Sequence, residues 1–164
     1  MTGIRFSILT EKEIYLLTHW LRQRHVLEFW PAQMTDEQIR QKYLAHTDSK
    51  SVFPFLIWLS KTPIGYVQAY AASQVGDGWW PDEKEGTYGI DLFIGDLEYM
   101  NKGYGSEIVR AFLKDFSKEY RVQKWIVDVS PRNPRAIRCF EKAGFNFVKE
   151  IDTPDGKANL MVML

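Results

Sequence analysis

Residues 100–116, MNKGYGSEIVRAFLKDF, set two glycines directly ahead of an apolar periodicity. The spacing of Ile108, Val109, Phe112, Leu113 and Phe116 predicts an amphipathic helix running from Gly103, because apolar residues three and four apart share one helical face. Ahead of it, 87–94 (TYGIDLFI) reads as a strand. Asn101, Lys102, Gly103, Tyr104, Gly105 and Ser106 therefore lie between a strand and a helix start. Glycines there let the backbone turn sharply and aim several N–H groups at one point, and the helix dipole adds about half a positive charge. Such a turn suits a pyrophosphate. The spacing is neither GxGxxG nor that of a Walker loop, so dinucleotide and nucleoside-triphosphate folds are not indicated.

Working outward, 125–129 is a second strand, and 133–143 a second helix closed by Gly144 in the position of a C-terminal glycine cap. Strands at 145–151 and 158–164 flank a turn at Thr153, Pro154, Asp155 and Gly156. Towards the N-terminus, 4–9 alternates as a half-buried strand, and Thr10 with Glu13 forms a capping-box pattern for a helix to about Arg22 with Ile14, Leu17 and Leu21 as its stripe. Thr35 with Gln38 starts another helix carrying Ile39, Tyr43 and Leu44. Strands at 53–59 and 64–71 follow, with a turn at Lys61, Thr62 and Pro63. The order β-α-α-β-β-β-α-β-α-β-β is an α/β class with a mixed central sheet, and 1–164 reads as a single domain without repeat or linker.

Composition narrows the function. With 21 Lys and Arg against 21 Asp and Glu, no net charge drives binding to a phosphate backbone, so nucleic acid is not an expected partner. No run reaches the roughly 18 apolar residues of a membrane span. The start MTGIRFSILTEKE has no signal-peptide pattern, which gives a cytoplasmic expectation. Six Trp and 15% aromatic residues are more than a core of this size needs, so some rings are expected at a binding surface.

Asp91 is a lone acid among apolar strand residues, either a carboxylate placed at a cleft or an exposed residue at a bulge. The long loop 73–86 holds Asp77, Trp79 and Trp80, a carboxylate beside two indoles, which suits a cationic sugar through ion pairing and cation–π attraction. The same rings can instead pin the loop to the core, although two neighbours cannot both bury easily. His19, His25 and His46 lack metal-ligand spacing, so no metal is expected, and Cys139 reads as a packing residue.

With Asn133, Ala136 and Gly144-Phe145 in the second helix segment, the sequence resembles the GNAT acetyltransferases, whose acetyl-coenzyme A signature Q/R-x-x-G-x-G/A is followed by N-x-x-A-x-x-x-Y-x-x-x-G-F. HWLRQRHVLEFW, PIGYVQAY, GDGWW, GID, AIRCFEKAGF and TPDG together are similar to the bacterial aminoglycoside 6′-N-acetyltransferases. Met100 replaces the signature's Gln or Arg, and Phe140 replaces its Tyr, the family's general acid. The resemblance implies a splayed sheet flanked by helices and acetyl-coenzyme A as co-substrate. It implies Asp91 as catalytic base, with backbone amides of Leu92, Phe93 and Ile94, the 101–106 turn, Asn133, Ala136 and Phe140 contacting the cofactor. It also implies Trp30, Tyr43, Asp77, Trp79, Trp80, Asp128 and Asp155 facing a polyamino sugar. Singly, Asp155 is explained by its turn and Tyr43 by a helix core. The rivals are acetylation of another amine, an N-hydroxylysine or a protein N-terminus, and a non-catalytic acyl-coenzyme A binding module. A monomer or a homodimer fits equally.

Overall fold

The computed structural model describes residues 3–30, 33–74, 80 and 82–164. Seven strands form one mixed sheet in the order β1-β2-β3-β4-β5-β7-β6: β1 (Ile4–Ile8), β2 (Val52–Leu59), β3 (Thr62–Ala71), β4 (Thr87–Ile94), β5 (Lys124–Val129), β6 (Asn146–Thr153) and β7 (Gly156–Met163). β4 and β5 are parallel, while β1 with β2, β5 with β7 and β6 with β7 are antiparallel. Helices are α1 (Ile14–Trp20), α2 (Arg24–Leu27), α3 (Asp36–Thr47), α4 (Tyr104–Glu119) and α5 (Pro134–Ala143). The chain forms two compact units, 1–69 with 91–104 and 70–90 with 105–164, and both β3 and β4 pass from one to the other.

In the first unit, Ile14, Leu17 and Leu21 are buried as their spacing predicts, together with Leu9, Ile39 and Tyr43. The α3 capping box is present in both directions: Gln38 N–H donates to Thr35 Oγ1 at 3.2 Å, and Thr35 N–H to Gln38 Oε1 at 2.9 Å. The equivalent box at Thr10 is not formed. Its hydroxyl donates to the Glu13 side chain instead, Glu11–Glu13 becomes a 3₁₀ turn, and the helix proper starts at Ile14 and ends at Trp20. The extra helix α2 has four residues, too few to show a period. The β2–β3 turn falls at Ser60-Lys61, with Ser60 at φ 56°, so Thr62 and Pro63 belong to the strand. Ser60 N–H donates to the Gly3 carbonyl at 2.7 Å, a contact from a distant segment that fixes the turn one step early.

In the second unit, the predicted face of α4, from Ile108 to Phe116, is buried. Five apolar side chains at roughly 1.5–3 kcal/mol each outweigh the helix's intrinsic preferences. Phe116 lies 5.3 Å from Tyr88 and 5.5 Å from Trp125, ring centre to ring centre. Asn133 caps α5 by accepting from Ala136 N–H at 3.2 Å, and Gly144 closes it at φ 113°, where a side chain would be strained. The β6–β7 hairpin turns through Pro154-Asp155, with a bulge between Phe147 and Lys149. No described helix is long and apolar enough to cross a membrane.

Candidate active site

β4 supplies the acid. Asp91 follows the fully buried Ile90 and lies among the buried side chains of the first unit. It keeps a partly accessible face, yet burial pushes its carboxyl up from the usual 3.8 to about 6. A hydrogen bond from Gln68 and the positive charge of Lys42 pull in the opposite direction. Gln68 Nε2 donates to Asp91 Oδ2 at 3.2 Å, and Tyr66 O–H donates to Gln68 Oε1 at 2.7 Å. Tyr66 and Gln68 share a face of β3 because they are two residues apart.

Aromatic rings surround this chain of contacts. Trp30 Nε1 donates to the Tyr43 hydroxyl at 3.2 Å, and Trp30 stands edge-on to Tyr66 at 6.1 Å and to Phe93 at 5.0 Å. Tyr43 meets Tyr66 edge-on at 5.3 Å. Burial, the bond from Trp30 and the Asp91 charge act together on the Tyr43 hydroxyl, and burial wins, pushing it up to about 12. Burial likewise raises the Tyr66 hydroxyl well above its ordinary 10. Both phenols thus stay protonated at any working pH. Asp91, raised to about 6, is a carboxylate able to accept a proton from an amine that must lose one.

The backbone of β4 sorts the three expected cofactor residues. Thr87 C=O accepts from Ala72 N–H at 2.9 Å and Gly95 N–H donates to Ile64 C=O at 2.8 Å, so odd-numbered residues bond towards β3. Phe93 follows this rule: its carbonyl lies against Gly65, where a β-carbon would collide with it. Phe93 therefore contributes a ring and not an amide. Leu92 and Ile94 present their N–H groups away from β3, and the recorded ladder with β5 covers only Thr87–Gly89. His25 Nε2 lies 3.0 Å from the Ile94 carbonyl and holds this edge from α2. Lying about 6.6 Å apart along the strand, these two N–H groups can meet successive acceptors of an extended chain laid along β4, one of them a thioester oxygen gaining charge.

The turn before α4 has two left-handed residues, Asn101 at φ 59° and Gly103 at φ 80°. Alternation of this kind curls successive amides around an anion. Tyr104 begins the helix, with its ring 5.9 Å from Tyr99, while Asn101 and Lys102 are exposed and Ser106 is half-buried. Gly105 has a different reason to be small: a β-carbon there would stand 3.0 Å from Cys139 Sγ of α5. Burial pushes that thiol up to about 11, against the pull of Arg110 and Lys142, so it stays protonated as the packing reading expects. Phe140 is buried in the second unit, edge-on to Phe145 at 5.3 Å, and Ala136 is half-buried in the first turn of α5.

Of the remaining expected acceptor residues, Trp80 is half-buried and donates to the Tyr70 hydroxyl at 3.2 Å. Asp128 is half-buried on β5 opposite Leu160. Asp155 is exposed in its turn, with its N–H on Thr153 Oγ1 at 3.2 Å, so turn chemistry accounts for it locally. Asp77 and Trp79 lie outside the described residues. Among the described residues no group of three or more His, Cys, Asp or Glu side chains could hold a metal ion. Sequence reading passed over Tyr66, Gln68 and Lys42; the available signal was a Gln two residues after a Tyr in the otherwise apolar strand PIGYVQAY.

A strand carrying a half-buried acid, an amide edge facing away from its neighbour and a glycine turn leading into a helix define an acyl-transfer fold. The family profile described as Acetyltransferase (GNAT) domain matches residues 10–153, and the chain belongs to that family. It is similar to the aminoglycoside N(6′)-acetyltransferase type 1 of Klebsiella pneumoniae, 38% identical over 98% of this chain and 82% of the relative. The lysine N-acyltransferase MbtK of Mycobacterium tuberculosis is 26% identical over 98% of this chain and 76% of that one. Among solved structures, aminoglycoside acetyltransferase AAC(6′)-Ib in complex with coenzyme A and kanamycin superposes with a TM-score of 0.91 at 38% identity, covering 98% and 94% of the two chains.

Proposed function

We propose that this acetyltransferase moves the acetyl group of acetyl-coenzyme A directly to the 6′-amine of an aminoglycoside, and so modifies the antibiotic. The observation that carries the reading is the Asp91 carboxyl, raised to about 6 among Trp30, Tyr43 and Tyr66. Together with the 38% identity to the Klebsiella pneumoniae enzyme, it supports an aminoglycoside amine as acceptor. Asp91 takes a proton from the amine, whose nitrogen then forms a bond to the thioester carbon. One of the Leu92 and Ile94 amides stabilises the carbonyl oxygen as it gains charge, and the other is left for the pantetheine chain. The C–S bond breaks, the thiolate leaves as coenzyme A, and a solvent proton completes the thiol because Phe140 has no hydroxyl to give. The 101–106 turn, Asn133, Ala136 and Phe140 are assigned to the coenzyme. Trp30, with Trp80, Asp128 and Asp155 in the second unit and Asp77 and Trp79, is assigned to the sugar, whereas Tyr43, expected there from the resemblance, is buried in the core and only supports Trp30 through their hydrogen bond. The whole chain, 1–164, acts as one domain, a monomer or homodimer in the cytoplasm, with no nucleic-acid or membrane partner.

The likeness to a lysine N-acyltransferase favours one second reading, an N-hydroxylysine acceptor. Coenzyme A release decides between them, with kanamycin, tobramycin, amikacin, N-hydroxylysine and a peptide as acceptors. Turnover with the aminoglycosides, and none when the 6′-amine is replaced by a hydroxyl, is the expected result. Preferential turnover of N-hydroxylysine overturns the assignment.

A further inference from the structure

We propose that Tyr66 is a positioning residue for proton transfer: its buried hydroxyl decides which end of the Gln68 amide faces Asp91. The proposal rests on Asp91 as the proton acceptor. A glutamine amide has two ends of nearly equal shape, one accepting and one donating. In the observed orientation Oε1 receives the Tyr66 proton at 2.7 Å and Nε2 donates to Asp91 Oδ2 at 3.2 Å. Turned over, the amide would offer N–H to the phenol oxygen, and the phenol's own proton would be stranded in a fully buried site. Oε1 would then face the carboxylate, an arrangement that suits only protonated Asp91. The hydroxyl thereby favours the amide orientation that steadies the ionised, proton-accepting form.

The groups facing Asp91 from its neighbours set the background. β3 contributes Tyr66 and Gln68. α3 contributes Lys42, which pulls the carboxyl down, and Tyr43, whose ring meets His46 edge-on at 5.6 Å. Apart from the Tyr66 hydroxyl itself, none of these groups is altered in Tyr66→Phe, which keeps the ring contacts to Trp30, Tyr43 and Phe93.

The test is the Asp91 carboxyl titration followed by carbon NMR in wild type and Tyr66→Phe, alongside pH profiles of kcat/KM. The expected result is an Asp91 titration and an acid limb both displaced upwards by about one pH unit, equivalent to about 1.4 kcal/mol. Turnover above the displaced limb stays within about threefold of wild type. Gln68→Met should displace the titration similarly, and Tyr66→Phe should add nothing in that background, because the hydroxyl acts only through the amide. An unmoved Asp91 titration in folded Tyr66→Phe overturns the proposal. Additive shifts in the double variant overturn it as well. A displaced carboxyl with an unmoved limb instead overturns Asp91 as the base, and with it the positioning role.

Discussion

A β-carbon on Gly105 would stand 3.0 Å from the sulfur of Cys139, tighter than nearly all real side-chain contacts, so α4 and α5 of the second unit meet across a glycine and a thiol. Gly105→Ala should lower stability by about 1 kcal/mol, because crowding outweighs alanine's better helix propensity of similar size. In a Cys139→Ala background the same change should become neutral or stabilising. Urea denaturation of the four proteins measures this. Equal costs in both backgrounds would show that the helix contact is not what keeps position 105 small.

Asp91→Asn should separate activity from stability. Folding raises this carboxyl from 3.8 to about 6, so the folded state binds its proton more tightly than the unfolded chain does. Wild-type stability therefore declines as pH rises through about 4 to 6 and stays reduced above that window. The Asn variant escapes this loss and should be more stable at pH 7.5 by on the order of 3 kcal/mol, with the advantage gone near pH 3.5. Its kcat should fall by about 10² to 10⁴. Thermal melts at the two pH values, beside coenzyme A release, check both halves.

Lys42 bears on the acceptor's charge. Its Nζ lies 5.7 Å from the Tyr43 ring centre, and its charge lowers the Asp91 carboxyl. Lys42→Met should raise the acid limb of kcat/KM by a few tenths of a pH unit. It should also lower KM for a polycationic sugar several-fold at low salt. The gain in KM should vanish near 1 M salt, where charges are screened beyond about 3 Å. A neutral-bodied monoamine should show the displaced limb without the salt-dependent gain.

Phe140 offers a gain-of-function test. Phe140→Tyr should raise kcat several-fold, within the roughly 10² to 10⁴ available to positioned acids. A hydroxyl added to a ring this buried should also cost about 1 kcal/mol or more of stability unless it finds a partner. If kcat does not change, protonation of the leaving thiolate is not rate-limiting.

Local signals carried most of the fold. The α4 stripe, the Thr35 capping box and the Gly144 cap were legible because each depends on residues within one or two turns of chain. The misplacements came from a competing local hydrogen bond in one case and a contact with a distant segment in the other. Glu13 took the Thr10 hydroxyl by its side chain, and a hydrogen bond to Gly3 set the turn at Ser60. At the site, Asp91 stood out as an acid in an apolar strand, and Trp30 and Tyr43 came with the family resemblance. Tyr66 and Gln68 read as ordinary strand residues, since no one-dimensional pattern shows a hydroxyl, an amide and a carboxylate arranged in series. Phe93 was expected to offer an amide, but the two-residue alternation of β4 turned that amide towards β3.

Gly65, Gly89 and Gly95 sit where a methyl group would run into the Phe93 carbonyl, the Tyr70 ring and the Trp20 ring. None of the three does chemistry. In a deep mutational scan under antibiotic selection they should nevertheless be as intolerant as Asp91, so survival scores alone would misreport the extent of the catalytic machinery. Counting soluble protein for each variant separates the two kinds of intolerance: the glycine variants are lost from the soluble pool, whereas Asp91→Asn accumulates there and fails only in turnover.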